Sequence, residues 1–407
     1  MQVTVNSYLN ARSGSASTKA PNPLFLRPGD SLSIDDSVVG EEIEGNCVWY
    51  HSTDGNYYWS GGIQDTDFLF GDKDFKKLET TDKVGIINSL KNEKYDFFRQ
   101  KIRGMTGCGI GFKNDKRILC LSVYVQSKLP EDQLEFSLPE TISYKGWSIP
   151  TDVKTSGRPV THDYNPAGKD LRLQADNIPL HCGGSISPLG KTTFGTRTVK
   201  VLADGQLCAL TCFHVLFGPF VTNSNPVQYP GIEDLKDQKA IYPGTKLNPD
   251  FSGPIQAEIL KGQYDGHYDF ALVKISNVQL KNVILNGDAS QDLRITGFYE
   301  EKELTTGTRL NIRSFGATSG PQSGVITDFK HNTDITLNGV VRTYYDLLVS
   351  EKIAEPGDSG APVIGPDNRM VGYVVAGTAT DDTIDSPKTY IMPWYNLYHN
   401  QNLTLAP

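Results

Sequence analysis

The sequence predicts a mostly β protein made of more than one module, and three observations carry that expectation. First, the 39 glycines and 23 prolines of the 407-residue chain are spread along its length. That distribution suits many short strands joined by turns better than long helices. Second, short apolar segments bounded by turn residues recur from about residue 178 to 400 with almost no helical periodicity, as in an all-β barrel architecture. Third, a helical pattern stands out only at 82–103. The length allows two or three domains, each with its own core.

The elements follow in order. Residues 1–65 read as a compact unit of short strands and turns, with the Pro28-Gly29-Asp30 turn and a hairpin signal at Asp54-Gly55 between Trp49-Tyr50 and Tyr57-Tyr58-Trp59. The strings LNARSG (9–14), the Pro-Gly-Asp turn and WY…DGNYYWSGGI (49–63) resemble a bacterial SH3-like domain. That resemblance implies a small barrel with a peptide or cell-wall ligand. Trp49, Tyr57, Tyr58 and Trp59 then either line a binding groove or fill the small core. Residues 66–80 are charged and read as a linker. Residues 81–155 read as a small α+β module. Its helix carries Val84, Ile87, Leu90 and Lys91, then Phe97, Phe98 and Ile102, with Thr81 or Asp82 as N-cap. Strands at 107–112 and 117–125 follow. The polar stretch 156–177, with Pro159, Pro166 and Gly168, reads as a second linker, and 178–407 as the main β domain.

Composition narrows the function classes. Hydrophobic residues make up 38% and charged residues 21%, as in ordinary globular proteins. The formal net charge of -8 comes without any Lys/Arg block, so no nucleic-acid partner is expected. No stretch approaches the roughly 20 apolar residues of a membrane span. The start of the chain has neither a basic segment nor an apolar run, so the expectation is a cytoplasmic protein with no membrane association. The cysteines, Cys47, Cys108, Cys120, Cys182, Cys208 and Cys212, form no C-x-x-C pair and have no zinc-type spacing with histidine. Cys208 and Cys212, read on one strand, would lie about 13 Å apart, too far for a disulfide. Free buried thiols are expected, with no metal and no cofactor.

The chemistry concentrates at three places. Pro356, Gly357 and Gly360 mark a tight turn with Ser359 at its apex, ahead of an apolar strand. Such a turn directs successive backbone N–H groups into a concavity, which a developing oxyanion requires. A serine hydroxyl needs a neighbouring base. Among the seven histidines His214 stands out, at the end of an apolar strand that follows the Asp204-Gly205 turn. A core histidine satisfied by one hydrogen bond would look the same locally. The base in turn needs an orienting carboxylate. Asp269 opens the apolar strand DFALVKI, whereas its rival Asp265 lies in a polar turn, and His267 reads as a loop histidine.

The string GDSGAP (357–362), the segment around His214 and the string DFALV (269–273) resemble the three motifs of chymotrypsin/trypsin-like serine proteases. The order His…Asp…Ser belongs to that family rather than to subtilisins or α/β-hydrolases. The resemblance covers about 180–400 and implies a double β-barrel protease domain. It implies a His214, Asp269 and Ser359 triad and an oxyanion hole from the N–H groups of Gly357 and Ser359. Substrate would be bound by Ile353, Val375, Ala376 and Gly377, and would be a protein or peptide. Ile353, six residues before Ser359, stands where trypsin-like enzymes carry an acid, which points away from Lys/Arg preference. In many members Asp358 pairs with a new N-terminus released by cleavage, but the stretch starting at Ile178 matches the usual activation sequence poorly. The competing class is a peptide- or cell-wall-binding protein that uses the protease fold as a scaffold.

Overall fold

Paired positive-φ turns set several strand ends. Asp204-Gly205, Asn338-Gly339 and Lys145-Gly146 all have φ between 49° and 80° at both positions, the geometry of two-residue hairpin turns whose twist matches that of the strands. They join Lys200–Ala203 to Gln206–Thr211, Gly320–Leu337 to Val340–Glu351 and Thr141–Tyr144 to Trp147–Thr155. The computed structural model describes residues 2–43, 46–63, 75–113, 118–130, 133–134, 136–161, 181–191, 193–231, 238–242, 255–275, 281–284, 293–305, 309–379 and 386–406. The chain is mostly β and divides into two units, Met1–Met105 with Ile110–Lys154, and Thr106–Gly109 with Thr155–Pro407. Most of the expected linkers (66–74 and 162–177) and the segment 178–180 lie outside the described residues.

In the first unit, antiparallel strands run in the order Gln2–Thr4, Ser31–Ile43, Asn46–Ser52, Asn56–Trp59 and Arg12–Ser13. A bridge between Val5 and Ile63 joins the first strand to the end of the hairpin. Trp49 and Tyr58 are buried, and Tyr50 and Tyr58 belong to the core with Val3, Val5, Leu9, Leu32 and Ile34. Tyr57 and Trp59 are half-buried. The helix spans Thr80–Lys101 and buries Val84, Ile87, Leu90, Lys91, Tyr95 and Phe98. Its start corrects the sequence expectation. The N-cap is Glu79, without a side-chain capping bond, because the helix begins just after the short 3-10 turn Phe75–Lys77 and takes in Thr81 and Asp82.

The second unit holds two antiparallel barrels. In the first, Ser185–Pro188 pairs with Lys239–Tyr242, then Ile255–Tyr264, Asp269–Lys274, Gln206–Thr211 and Lys200–Ala203 follow in turn. The ring closes because the residues just before Lys200 pair back, Gly195–Thr196 against Ser185 and Ile186. In the second, Gly320–Leu337 pairs with Asn311–Gly316, followed by Pro362–Ile364, Arg369–Thr378, Lys388–Pro393 and Val340–Glu351. That last strand pairs with Gly320–Leu337 again and closes the ring. Among the described residues, the α-helices Phe213–Phe217, Glu301–Leu304 and Trp394–Gln401 break the expected all-β pattern. The last buries Trp394, Tyr395 and Leu397, on a segment too short for periodicity to announce it. Residues 156–161, expected to begin a linker, include the strand Pro159–Val160.

Cys108, Cys120, Cys182, Cys208 and Cys212 are buried and form no disulfide with one another; the Cys47 side chain lies outside the described residues. Burial pushes the Cys182 thiol up to about 12 and the Cys208 thiol up to about 11. Only the thiolate reacts. Iodoacetamide at about pH 8 should therefore leave both unmodified in the native chain and alkylate both in urea, as read by peptide mass mapping.

Candidate active site

The first barrel brings His214 and Asp269 to one end by pairing alone. Thr211, at the end of its strand, faces Ala271 near the start of the next. His214 lies three residues past Thr211 and Asp269 two before Ala271, so an antiparallel register leaves them side by side. The strand expected to carry His214 ends at Thr211. The histidine instead sits in the first turn of the helix Phe213–Phe217. There its backbone N–H donates to Asp269 Oδ1 at 3.2 Å and its Nδ1 lies 2.6 Å from Asp269 Oδ2. The carboxylate thus grips both the backbone and the ring of the same residue.

Ser359 comes from the second barrel, in the turn ahead of Pro362–Ile364, and its Oγ lies 2.7 Å from His214 Nε2. All three residues are buried: His214 is 1% exposed, Asp269 and Ser359 0%. Gly357 and Gly360 take φ of +99° and +92°, so only glycine fits them without strain. A Cβ on Gly360 would also overlap the Thr196 carbonyl. The N–H groups of Gly357 and Ser359 donate to no acceptor among the described residues. Asp358 between them is fully buried. Its Oδ1 accepts from the N–H groups of Thr318 (2.8 Å) and Ser319 (3.2 Å), and its Oδ2 from that of Glu355 (2.8 Å).

Tyr344 was not singled out from sequence, yet its hydroxyl donates to Asp269 Oδ2 at 2.8 Å. It is fully buried, and burial together with the Asp269 charge pushes its phenol well above the ordinary tyrosine range. Tyr373 adds a hydrogen bond to the Asp269 carbonyl at 3.1 Å. Asp265 is engaged elsewhere, accepting from the N–H groups of His267 and Tyr268 and from Gln263. His267 stacks on Tyr345 at 4.8 Å. Donor atoms of Cys212, His214 and Asp269 lie within 4.8 Å of one another. Both ring nitrogens of His214 already face Asp269 and Ser359, and the Cys212 thiol donates to the Val374 carbonyl at 3.3 Å. A metal ion there would have to displace these contacts.

Of the residues expected to hold substrate, Val375, Ala376 and Gly377 lie on the strand Arg369–Thr378, and Ile353 lies two residues past the end of Val340–Glu351. Val374 pairs with Ile391 and Ala376 with Tyr390, leaving Val375 as the extra residue of a bulge, a device that re-aims a strand near a site. Gly377 pairs with Thr389, whose hydroxyl accepts the N–H of Ile353 at 3.0 Å. Ile353 is thereby tied to the same rung, buried, with its side chain close to Gly324.

No protein-family model and no curated protein matches the chain. Solved structures similar to it include a chymotrypsin of Cellulomonas bogoriensis, 16% identical, covering 56% of this chain and 98% of that one with a TM-score of 0.38. A Nocardiopsis protease is also 16% identical, covering 56% and 99% at a TM-score of 0.40. Protease A of Thermobifida fusca is 18% identical, covering 56% and 98% at 0.36. The fold described above rests on the strand pairing itself.

Burial raises the pKa of Asp358 despite its three N–H donors. A carboxyl with a raised native pKa contributes stability that is fully present below the unfolded aspartate range and is lost as pH rises through the native value. Asp358→Asn has no such proton to lose. Urea unfolding across that range should show the wild type losing stability relative to the variant as pH rises.

Proposed function

We propose that this chain is a serine endopeptidase. The reading is carried by one observation, the hydrogen-bonded line from Asp269 through His214 to Ser359 inside a buried setting. Ser359 Oγ attacks the scissile carbonyl while His214 Nε2 takes its proton and then delivers it to the leaving amine. Asp269 fixes the ring orientation and stabilises the imidazolium. The N–H groups of Gly357 and Ser359 stabilise the tetrahedral oxyanion, each worth about 3 kcal/mol of barrier. Water then hydrolyses the acyl-enzyme by the same proton route.

Two features support finer parts of the reading. The carboxylate of Asp358 is met by backbone donors from 318, 319 and 355, which supports a turn that holds its shape without a newly released N-terminus. The apolar Ile353 beside the Gly377 rung supports a preference for uncharged rather than basic residues before the cut. The N-terminal unit, with its SH3-like sequence, serves targeting or regulation through a peptide or cell-wall ligand. Among the described residues, no helix is long and apolar enough to cross a membrane.

Labelling with a fluorescent phosphonate that traps activated serines tests the central claim. Wild type should label and Ser359→Ala should not. Silence of a folded wild type, both intact and trimmed to begin near residue 178, would favour a binding protein on a protease scaffold. On a peptide substrate, Asp269→Asn should lower kcat by about 10⁴-fold. Tyr344→Phe removes one hydrogen bond to a charged group, and should cost about ten- to a hundredfold. Because the Tyr344 hydroxyl and the His214 ring share Asp269 Oδ2, removing the hydroxyl leaves more of the carboxylate's charge for the imidazolium, and the acidic limb of kcat/KM should move to higher pH in Tyr344→Phe. A phenol that only fills space would leave that limb unmoved.

A further inference from the structure

Residues 158–161 do not cross the surface as a loose connection. Pro159 pairs with Thr378 and Val160 with Gly377, antiparallel, on the edge expected to hold substrate. The N–H of Ala379 donates to the Arg158 carbonyl at 2.9 Å. On its other side the segment meets the second barrel's long hairpin. Val160 pairs with Thr336 in parallel, and the N–H of Thr161 donates to the Thr336 carbonyl at 3.2 Å. Pro159 is buried and Val160 half-buried. Just upstream, the buried Ser156 hydroxyl lies 3.0 Å from that of Tyr390, which pairs with Ala376 on the same strand.

The direction of the segment matters more than its presence. As its numbers rise from 159 to 160, its partners fall from 378 to 377, toward Val374. Val374 brackets the nucleophile turn: its carbonyl accepts the N–H of Gly360 at 2.7 Å, and its own N–H donates to Ala361 at 3.0 Å. A strand advances about 3.3 Å per residue. An occupant of this groove, continued for a few residues, therefore heads toward Ser359. Separately, Ser359 is 0% and His214 1% exposed, so the nucleophile and its base are both closed off from solvent in this form.

We propose that residues 158–161 act as an internal competitor, filling the groove between 377–379 and Thr336 that an extended peptide substrate would otherwise enter. The inference rests on the serine-protease reading. It implies that a peptide able to displace the segment carries a proline or other small apolar residue followed by a β-branched one, as at Pro159 and Val160. Main-chain pairing supplies affinity, and alternate side chains supply selectivity. An internal occupant multiplies the apparent affinity of any peptide by the fraction of chains in which the groove is open, and so lowers it.

The test uses the full chain and two variants, Pro159→Asp at the buried position and Val160→Asp at the half-buried one. The readouts are phosphonate labelling rate, peptide kinetics and hydrogen exchange at the Ala379 amide. Displacing the segment should raise labelling at least about tenfold and lower KM with little change in kcat. It should also speed exchange at Ala379. The blocked peptide Ser-Gly-Arg-Pro-Val-Thr, added to either variant, should slow both again. Equal labelling in wild type and both variants overturns the proposal, as does a KM that stays fixed. Absence of labelling in every form, with Ala379 exchange raised and then lowered by the peptide, keeps the groove assignment and removes the protease reading instead.

Discussion

The site depends on how the first barrel holds the nucleophile turn of the second. The Thr196 N–H donates to the Ser359 carbonyl at 2.7 Å, and the Thr196 hydroxyl to the Gly357 carbonyl at 2.9 Å. The Thr198 hydroxyl donates to the Gly360 carbonyl at 2.7 Å. These bonds sit where 195–203 closes the first barrel, so closing the ring and positioning the turn are one structural event. Alternation along the segment divides the work. Thr196 and Thr198 reach across to the turn, while the buried Arg197 lies over Tyr242 at 5.4 Å and donates to the His181 carbonyl. Each bond adds about 1 kcal/mol net, but a buried carbonyl left without its donor costs about 1–3 kcal/mol. The turn is therefore held mainly by what its distortion would cost.

The dependence also runs the other way. Asp269 belongs to the first barrel, yet two of its hydrogen bonds come from the second, through Tyr344 and Tyr373. A fully buried carboxylate is costly unless its lone pairs are met. Here Oδ1 accepts the His214 backbone N–H, and Oδ2 takes both the ring and the Tyr344 hydroxyl. Each barrel thus completes the polar groups the other would leave exposed at the seam. That reciprocity explains how three residues from two barrels align within 2.6 and 2.7 Å.

What could be read in advance follows the range of the interactions. The Gly-Asp-Ser-Gly turn was legible because its geometry is local: two positive-φ glycines around one serine announce themselves in any context. Asp269 was separable from Asp265 because one opens an apolar strand and the other sits among turn residues that it caps. Tyr344 was not legible. It lies 75 residues from Asp269, on a strand dense in aromatic and aliphatic residues, and nothing near it marks one hydroxyl as different. The helix under His214 was hidden because its apolar residues continue those of the preceding strand. Pro159–Val160 was read as linker because a two-residue strand has no period, and its partners lie beyond residue 330.

Burial and access pull against each other at this seam. Excluding water strengthens every electrostatic contact that the proton transfer uses, yet a peptide must still enter. A short paired segment reconciles the two. Pro159–Val160 offers few backbone bonds, each worth about 1 kcal/mol net, so its release costs little beside global unfolding. Proline lacks an N–H and cannot complete the ladder, which weakens the internal strand further. An incoming peptide that spans more of the edge, from Ala379 toward Val375, makes pairs the internal segment does not. The groove is then closed against solvent and short chains, and open to a strand long enough to replace what it displaces.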